Sequence, residues 1–145
     1  MRRAFFMPRS QLSTVEVAAG LIFRHGKLLI TQRLKGSHLG GLWEFPGGKM
    51  EPGESPEQCL CRELTEELAI KVDVGLLLAE VSHVYPEKEV RLKFFRCTML
   101  GGEPEAIGCQ AFEWVTAEGL GEFEFPPADG ELLDRLRAGE WWETK

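Results

Sequence analysis

A glutamate-rich segment that directly follows a pair of glycines is the feature that most constrains how this chain folds. Residues 44–70 read EFPGGKMEPGESPEQCLCRELTEELAI. Four carboxylates lie close together in this segment, those of Glu54, Glu63, Glu66 and Glu67. The fold must place this negative charge where water, a positive side chain or a cation compensates it, because an isolated buried carboxylate is very costly.

The sequence marks the start of a helix within this segment. Ser55 is a hydroxyl N-cap, Pro56 suits the first helical position, and Gln58 is spaced to close a capping box. We therefore predict a helix from Pro56 to about Ala69.

The predicted helix has an apolar side and an acidic side. Glu63, Glu66 and Glu67 are spaced i, i+3 and i+4, so they share one face. The adjoining arc carries a stripe of residues that suits a core: Leu60, Cys61, Leu64 and Leu68. The acidic face fits two interpretations, a solvated helix surface and a binding site for a hard divalent cation such as Mg²⁺.

The residues before the helix favour the cation site. Gly47 and Gly48 predict a turn whose backbone can approach a bound group closely, and Lys49 beside them can meet a phosphate. An anionic substrate held there by cations would lie where a bound water becomes the nucleophile.

Length and charge limit the other possibilities. The 145 residues, 43% of them hydrophobic, suit one domain with one core. The net charge of -6 argues against general binding to nucleic-acid polymers or anionic membranes. We expect a cytoplasmic protein with an N-terminal extension over residues 1–13 and a single domain over 14–140. Its cysteines lack metal-ligand or redox-pair spacing, so we expect reduced thiols.

Strand and helix patterns predict an α+β fold. Residues 14–23 and 28–33 predict a hairpin closed by the turn RHGK, and a glycine-rich loop follows as far as the glutamate-rich helix. Separate strands are predicted in KVDV, LLLAEVSHVY, VRLKFFRCTML and AFEWV, and a second helix in PPADGELLDRLRAGEWW. The result is a mixed β-sheet flanked by two helices.

The spacing of the charged residues resembles the box of the Nudix hydrolases, G-x5-E-x7-R-E-U-x-E-E-x-G-U, in which U is aliphatic. The matching positions are Gly48, Glu54, Arg62, Glu63, Leu64, Glu66, Glu67, Ala69 and Ile70. Alanine replaces the last glycine of the pattern, for which we expect a slightly different helix exit, because alanine tolerates positive φ poorly. The segments GLWEFPGGK and FPPAD are similar to the MutT-like branch, whose members cleave nucleoside triphosphates.

This resemblance implies a fold, a cofactor and residue roles. The family fold is an α/β/α sandwich, and its chemistry is attack of water on a nucleotide phosphate with Mg²⁺ or Mn²⁺. Metal binding is carried over to Gly48, Glu63, Glu66 and Glu67. By the same matching, Arg62 orients a box glutamate, Glu54 supports it, and Lys49 neutralises phosphate charge. Glu63 or another box carboxylate helps to deprotonate the water.

A departure from the branch concerns a further acid. MutT-like proteins often carry one two residues before the glutamine that matches Gln110, where this chain has Gly108. Glu103 or Glu105 from the same loop is expected to replace it. Without a replacement, one metal site would be weaker, because it would carry less charge.

The base-reading residues leave the substrate open. Asp129 follows FPPA where the branch that removes oxidised guanine nucleotides has asparagine. An ionised aspartate only accepts hydrogen bonds, which suits a donor-rich edge of cytosine, adenine or guanine, whereas a protonated one also donates. The alternative is that Asp129 caps the last helix. Arg33 and Gly47 are expected near the substrate, and Phe45 stacks on the base or belongs to the core.

Three functions therefore remain in view. The first is a pyrophosphohydrolase for nucleoside triphosphates that clears 8-oxo-dGTP from the nucleotide pool. The second is a CTP or dCTP pyrophosphohydrolase, suggested by Asp129. The third is a non-catalytic Nudix-like recognition module, suggested by Gly108. The expected partner is a small nucleotide, and the expected protein is a monomer or homodimer.

Overall fold

The structure is a computed structural model that describes residues 12–142. Its strands are β1 (Ser13–Arg24), β2 (Lys27–Gln32), β3 (Trp43–Glu44), β4 (Gly47–Lys49), β5 (Lys71–Val84), β6 (Lys88–Gly101) and β7 (Ala111–Val115). Its α-helices are α1 (Pro56–Leu68) and α2 (Gly130–Arg137). The predicted N-terminal extension lies outside the described residues except for its last two positions.

A mixed sheet organises the described residues around β1. This strand pairs antiparallel with β2 and β4 and parallel with β6. The strand order is β3-β2-β1-β6-β5, with β7 paired to β2. The predicted hairpin is confirmed, because Arg24 pairs with Lys27 across a turn in which His25 and Gly26 have φ values of 51° and 74°. The short strand β4 thereby lies beside the central strand.

The two helices pack on opposite faces of the sheet. Along β1, Ala18 and Ile22 belong to the core cluster that contains Leu60 and Leu64 of α1. The alternate positions Ala19 and Leu21 belong to the cluster that contains Leu132 and Leu136 of α2. Successive side chains of a strand point to opposite faces, so one strand supports both layers. The predicted α/β/α sandwich is confirmed.

Two details of the predicted sheet are wrong. Residues 71–84 form the single strand β5, because β-bulges between Val74 and Ala79 absorb the irregular segment around Gly75 without ending the pairing with β6. The segment predicted as a glycine-rich loop followed by a glycine turn contains β3 and β4. A glycine strand has no apolar alternation to mark it, so its long-range pairing with β1 was not visible locally.

The start of α1 follows the prediction, whereas its end does not. The Ser55 hydroxyl accepts from the Gln58 amide at 3.1 Å, and the Gln58 side chain accepts from the Ser55 amide at 2.9 Å. At the C-cap, Ala69 has φ 57° and ψ 33°, the left-handed conformation that glycine normally takes. The different exit expected for alanine is therefore absent, because the surrounding hydrogen bonds hold Ala69 in the strained conformation.

Trp141 and Trp142 pack on the face of the sheet that carries α2. Trp142 donates from Nε1 to the carbonyl of Leu136 at 2.8 Å and meets the ring of Phe23 edge-on at 5.1 Å. Neither helix within residues 12–142 is long and apolar enough to cross a membrane.

Candidate active site

Arg62 joins two of the box glutamates. Its Nε and Nη2 donate to the two carboxylate oxygens of Glu54 at 2.8 and 2.9 Å, and its Nη1 donates to Glu63 at 2.6 Å. Nη2 of Arg62 also donates to the carbonyl oxygen of Lys49 at 3.1 Å. The planar guanidinium thus ties α1 to β4 and to the loop before the helix.

These bonds keep Glu54 ionised. The hydrogen bonds from Arg62 and from the Glu51 amide lower the pKa of Glu54 to about 2. Both of its carboxylate oxygens are occupied by Arg62, and one also accepts from Glu51 at 2.9 Å. Glu54 therefore holds Arg62 in place, and its catalytic role stays a prediction.

The missing side chain at Gly48 makes room for Glu63. A Cβ at Gly48 would overlap the Glu63 carboxyl group, and a Cβ at Gly47 would overlap the carbonyl oxygen of Ala18 in β1. The two glycines therefore set a close spacing between sheet and helix. The Gly48 carbonyl accepts from the thiol of Cys59 at 3.4 Å, and its metal-binding role stays a prediction.

Glu67 shares a half-buried location with other carboxylates. Burial first, and then the negative charges of Glu63 and Glu44, raise the pKa of Glu67. The side chains of Glu63 and Glu67 lie close enough for their charges to interact, so the two carboxylates converge. Convergent oxygen donors whose charges repel one another are the donor set that a hard divalent cation would stabilise.

The third predicted metal ligand is less enclosed. The Glu66 side chain is 61% exposed and lies 3.6 Å from Nη1 of Arg62. Within residues 12–142, no three Asp, Glu, His or Cys side chains converge into a metal cage. Two convergent carboxylates nevertheless fit Mg²⁺, which keeps several waters and is commonly held by one or two carboxylates plus substrate phosphates.

The predicted replacements for the further acid do not join this cluster. Glu103 pairs with Arg24 at 3.1 Å and is 78% exposed. Glu105 is exposed as well. Gly108 itself lies against Glu67, where an added Cβ would come within 3.2 Å of the Glu67 Cα. Besides Glu63, the carboxylate that acts on Glu67 is that of Glu44, from the sheet.

Sequence reasoning missed Glu44. Its Oε2 accepts from Nη1 of Arg33 at 2.8 Å, and Nε of Arg33 donates to the His38 carbonyl at 2.7 Å. Burial raises the pKa of Glu44, and Arg33 opposes that effect. The sequence feature that could have identified Glu44 is its position as a charged residue between the aromatic residues Trp43 and Phe45. In a strand, that alternation places the charge on the opposite face from its neighbours.

Asp129 lies close enough to Glu44 for their charges to interact. It is 7% exposed and occupies the N-cap position of α2, but its side chain makes no capping hydrogen bond. The side-chain cap that we considered is therefore wrong. Burial, followed by the charge of Glu44, raises the pKa of Asp129 to about 6. Glu44 is thus electrostatically coupled to both Glu67 and Asp129.

The remaining predicted residues differ in accessibility. Arg33 is partly exposed beside Glu44, and the Lys49 side chain is exposed next to the box helix. Phe45 is 5% exposed and stacks on Phe125 with ring centroids 5.2 Å apart. This position matches the core interpretation, and stacking on a base would require the ring to move.

The chain belongs to the NUDIX domain family, whose model matches residues 18–135. This match covers the sheet from the middle of β1 onward, the box helix and most of α2, so the family expected from the box spacing is confirmed.

The chain is also similar to individual proteins with diphosphatase and pyrophosphohydrolase names and to a solved structure. The protein named 8-oxo-dGTP diphosphatase in Proteus vulgaris is 48% identical over 85 residues, covering 58% of this chain and 76% of the relative. The protein named CTP pyrophosphohydrolase in Escherichia coli (strain K12) is 38% identical over 127 residues, covering 88% of this chain and 94% of the relative. The solution structure of the E. coli ORF135 protein matches with a TM-score of 0.77 at 36% identity, covering 94% of this chain and 100% of that chain.

Proposed function

We propose that this protein hydrolyses 8-oxo-dGTP to the monophosphate and pyrophosphate in the cytoplasm, with Mg²⁺ or Mn²⁺ at the box carboxylates. As a NUDIX-family protein whose relatives carry diphosphatase and pyrophosphohydrolase names, it is a hydrolase of acid anhydrides. Its role would be to remove oxidised nucleotides before they enter DNA.

The arrangement of Arg62, Glu63 and Glu67 carries this proposal. Arg62 holds Glu63 at 2.6 Å, and Glu67 converges with Glu63 although both are acidic and partly buried. Such convergence opposes folding unless a cation or a proton offsets the negative charge. A recognition module without catalysis has no need for this arrangement, so the retained carboxylates favour an enzyme.

The residues of the site divide the chemistry among them. A divalent cation bound at these carboxylates supplies positive charge to the phosphates and lowers the pKa of a coordinated water. Glu63 and Glu67 hold that cation, and either accepts the proton of the attacking water. Arg62 fixes the orientation of Glu63 and is itself fixed by Glu54. Lys49 neutralises phosphate charge beside the box helix.

The base of the nucleotide lies beside Arg33 and Asp129. Arg33, held by Glu44 and by the His38 carbonyl, presents a guanidinium beside Glu44, whose charge also acts on Glu67 and Asp129. Asp129 reads the base edge, and its burial without a capping bond supports that role. In its protonated form it both donates and accepts, which matches a guanine-type edge with a carbonyl and an N–H.

A second candidate function rests on the same residue. When ionised, Asp129 accepts only, and an exocyclic amine of cytosine is then the better partner. A CTP or dCTP pyrophosphohydrolase is therefore the alternative, and the E. coli relative with that name supports it.

A pyrophosphate-release assay tests both candidates. The wild-type chain with Mg²⁺ is assayed on 8-oxo-dGTP, dGTP, dCTP, CTP, 5-hydroxy-dCTP and dATP. Glu67→Gln is the variant expected to lose turnover by orders of magnitude while remaining folded. Glu57→Gln is its matched control, because Glu57 is an exposed glutamate in the first turn of the same helix.

The outcomes separate the candidates. The highest kcat/KM on 8-oxo-dGTP supports the leading proposal, and preference for the cytosine nucleotides supports the alternative. No pyrophosphate from any of these nucleotides would refute both. Equal rates for Glu67→Gln and Glu57→Gln would remove Glu67 from the catalytic site.

A further inference from the structure

The loop between β6 and β7 holds the last turn of α1. The Glu105 amide donates to the carbonyl of Leu68 at 2.9 Å, and the carbonyl of Glu67 accepts from the amides of Ile107 at 3.1 Å and Gly108 at 3.0 Å. The final carbonyls of a helix have no partners within the helix. Three backbone donors of this loop therefore complete the end of α1, and two of them bond to the residue that carries a metal-site carboxylate.

The loop also contacts the side chain of Glu67. A Cβ at Gly108 would lie 3.2 Å from both the Cα and the Cγ of Glu67, closer than ordinary packing distances. The φ of Gly108 lies outside the left-handed region. Glycine is therefore required at position 108 by the lack of space beside Glu67, and its backbone conformation would suit any residue.

The end of the loop is fixed to the sheet. Cys109 is 7% exposed and belongs to the core cluster under α1. The amide of Gln110 donates to the carbonyl of Gln32 in β2 at 2.8 Å. Because this backing is buried and hydrogen-bonded to the sheet, a side chain added at Gly108 would push against Glu67.

We propose that Gly108 is a positioning residue that sets the location of the Glu67 carboxylate in the metal site. This inference rests on the proposed metal-dependent function. Gly108 thus has a role of its own at the position where an additional acid was expected. Residues 105–108 cover the end of α1. Because Gly108 has no side chain, its backbone packs directly against Glu67.

Direct metal binding tests this role without relying on turnover. Electron paramagnetic resonance of free Mn²⁺ gives the Kd for the full chain as wild type, Gly108→Ala and Gly101→Ala. Gly101 is the matched control, because it precedes the same loop, has no positive φ, and an added Cβ there meets nothing within 4 Å. We expect Gly108→Ala to weaken Mn²⁺ binding roughly 10- to 100-fold, the usual effect of changing a group that orients a metal ligand, because the added methyl group displaces Glu67. Gly101→Ala should leave the Kd unchanged.

A double-mutant cycle distinguishes positioning from general destabilisation. If Gly108 acts through Glu67, then Gly108→Ala adds no further loss of Mn²⁺ affinity to Glu67→Gln. Additive losses would overturn the inference, and so would equal Kd values for Gly108→Ala and Gly101→Ala. If the wild type itself bound no Mn²⁺, the proposed function would fail together with this inference.

A second measurement covers the case in which Gly108→Ala does not fold. Hydrogen exchange of the wild type reports the amides of Ile107 and Gly108 directly. These amides should exchange slowly, and Mg²⁺ should slow them further by fixing Glu67 beneath them. Exchange at the rate of an open loop, unchanged by Mg²⁺, would overturn the inference.

Discussion

The guanidinium of Arg62 donates to Glu54 at 2.8 and 2.9 Å and, in the opposite direction, to Glu63 at 2.6 Å. Arg62 is thereby held between Glu54, in the loop before α1, and Glu63, its neighbour in sequence. Only a planar group with several donors can make these bonds at once. This geometry explains why an arginine stands beside the glutamates that would bind metal.

Arg62→Lys should lower kcat on the preferred nucleotide roughly 10- to 100-fold, because an ammonium group cannot form the two-oxygen bond to Glu54 while orienting Glu63. Steady-state pyrophosphate release checks this result. Arg137→Lys, at the exposed end of α2, is the control and should behave as wild type. Equal kcat values for the two variants would contradict the orienting role of Arg62.

Acid should weaken the Arg62 network over a defined pH range. The pKa of Glu54 is lowered from 4.5 to about 2, so its stabilising contribution is complete above pH 4.5 and is lost as pH falls towards 2. The Tm difference between wild type and Glu54→Gln should be constant above pH 4.5 and shrink below it. A difference that stays constant down to pH 2 would show that Glu54 does not titrate as its partners imply.

Gly48→Ala should nearly abolish turnover. The new methyl group would overlap the Glu63 carboxyl group and displace it, and a misplacement of about 1 Å at a reacting group can cost on the order of 100-fold in rate. The control is Gly130→Ala, which meets nothing within 4 Å at the start of α2. Turnover of Gly48→Ala at the control level would show that Glu63 can act from another position.

The box helix was predictable because its signals are local. Ser55, Pro56 and Gln58 specify its first turn, and the apolar stripe specifies the face that packs on the sheet. The two strands β3 and β4 were not predictable in the same way. Their pairing depends on β1 and β2, and the glycines of β4 are required by contacts with Ala18 and Glu63.

The candidate site was predictable as a set of residue types but not as an arrangement. The spacing indicated the acidic face, yet the burial of Glu67 and the exposure of Glu66 depend on which elements pack around the helix. Glu44 acquires its importance from Arg33 and Asp129, which are distant in sequence. Ala69 differs, since the hydrogen bonds that close the end of α1 override the backbone preference of alanine.

The charge state of Asp129 should control which base is preferred. Burial and Glu44 raise the pKa of Asp129 from 3.8 to about 6, so the folded protein gains its proton as pH falls through about 6. The protonated carboxyl donates and accepts, which suits 8-oxo-dGTP, and the ionised carboxylate suits an amine donor such as that of dCTP. The ratio of kcat/KM for 8-oxo-dGTP to that for dCTP should therefore rise as pH falls through about 6.

Asp129→Asn separates this effect from other titrations of the active site. Asparagine donates and accepts at every pH, so the variant should keep a high and pH-independent ratio for the two nucleotides. The pH dependence of the Tm of Asp129→Asn provides a second test. The buried aspartate of the wild type costs stability as pH rises from 3.8 to about 6, and the asparagine variant should lack that decline in Tm. A selectivity ratio that varies with pH equally in both proteins would assign base discrimination to a group other than Asp129.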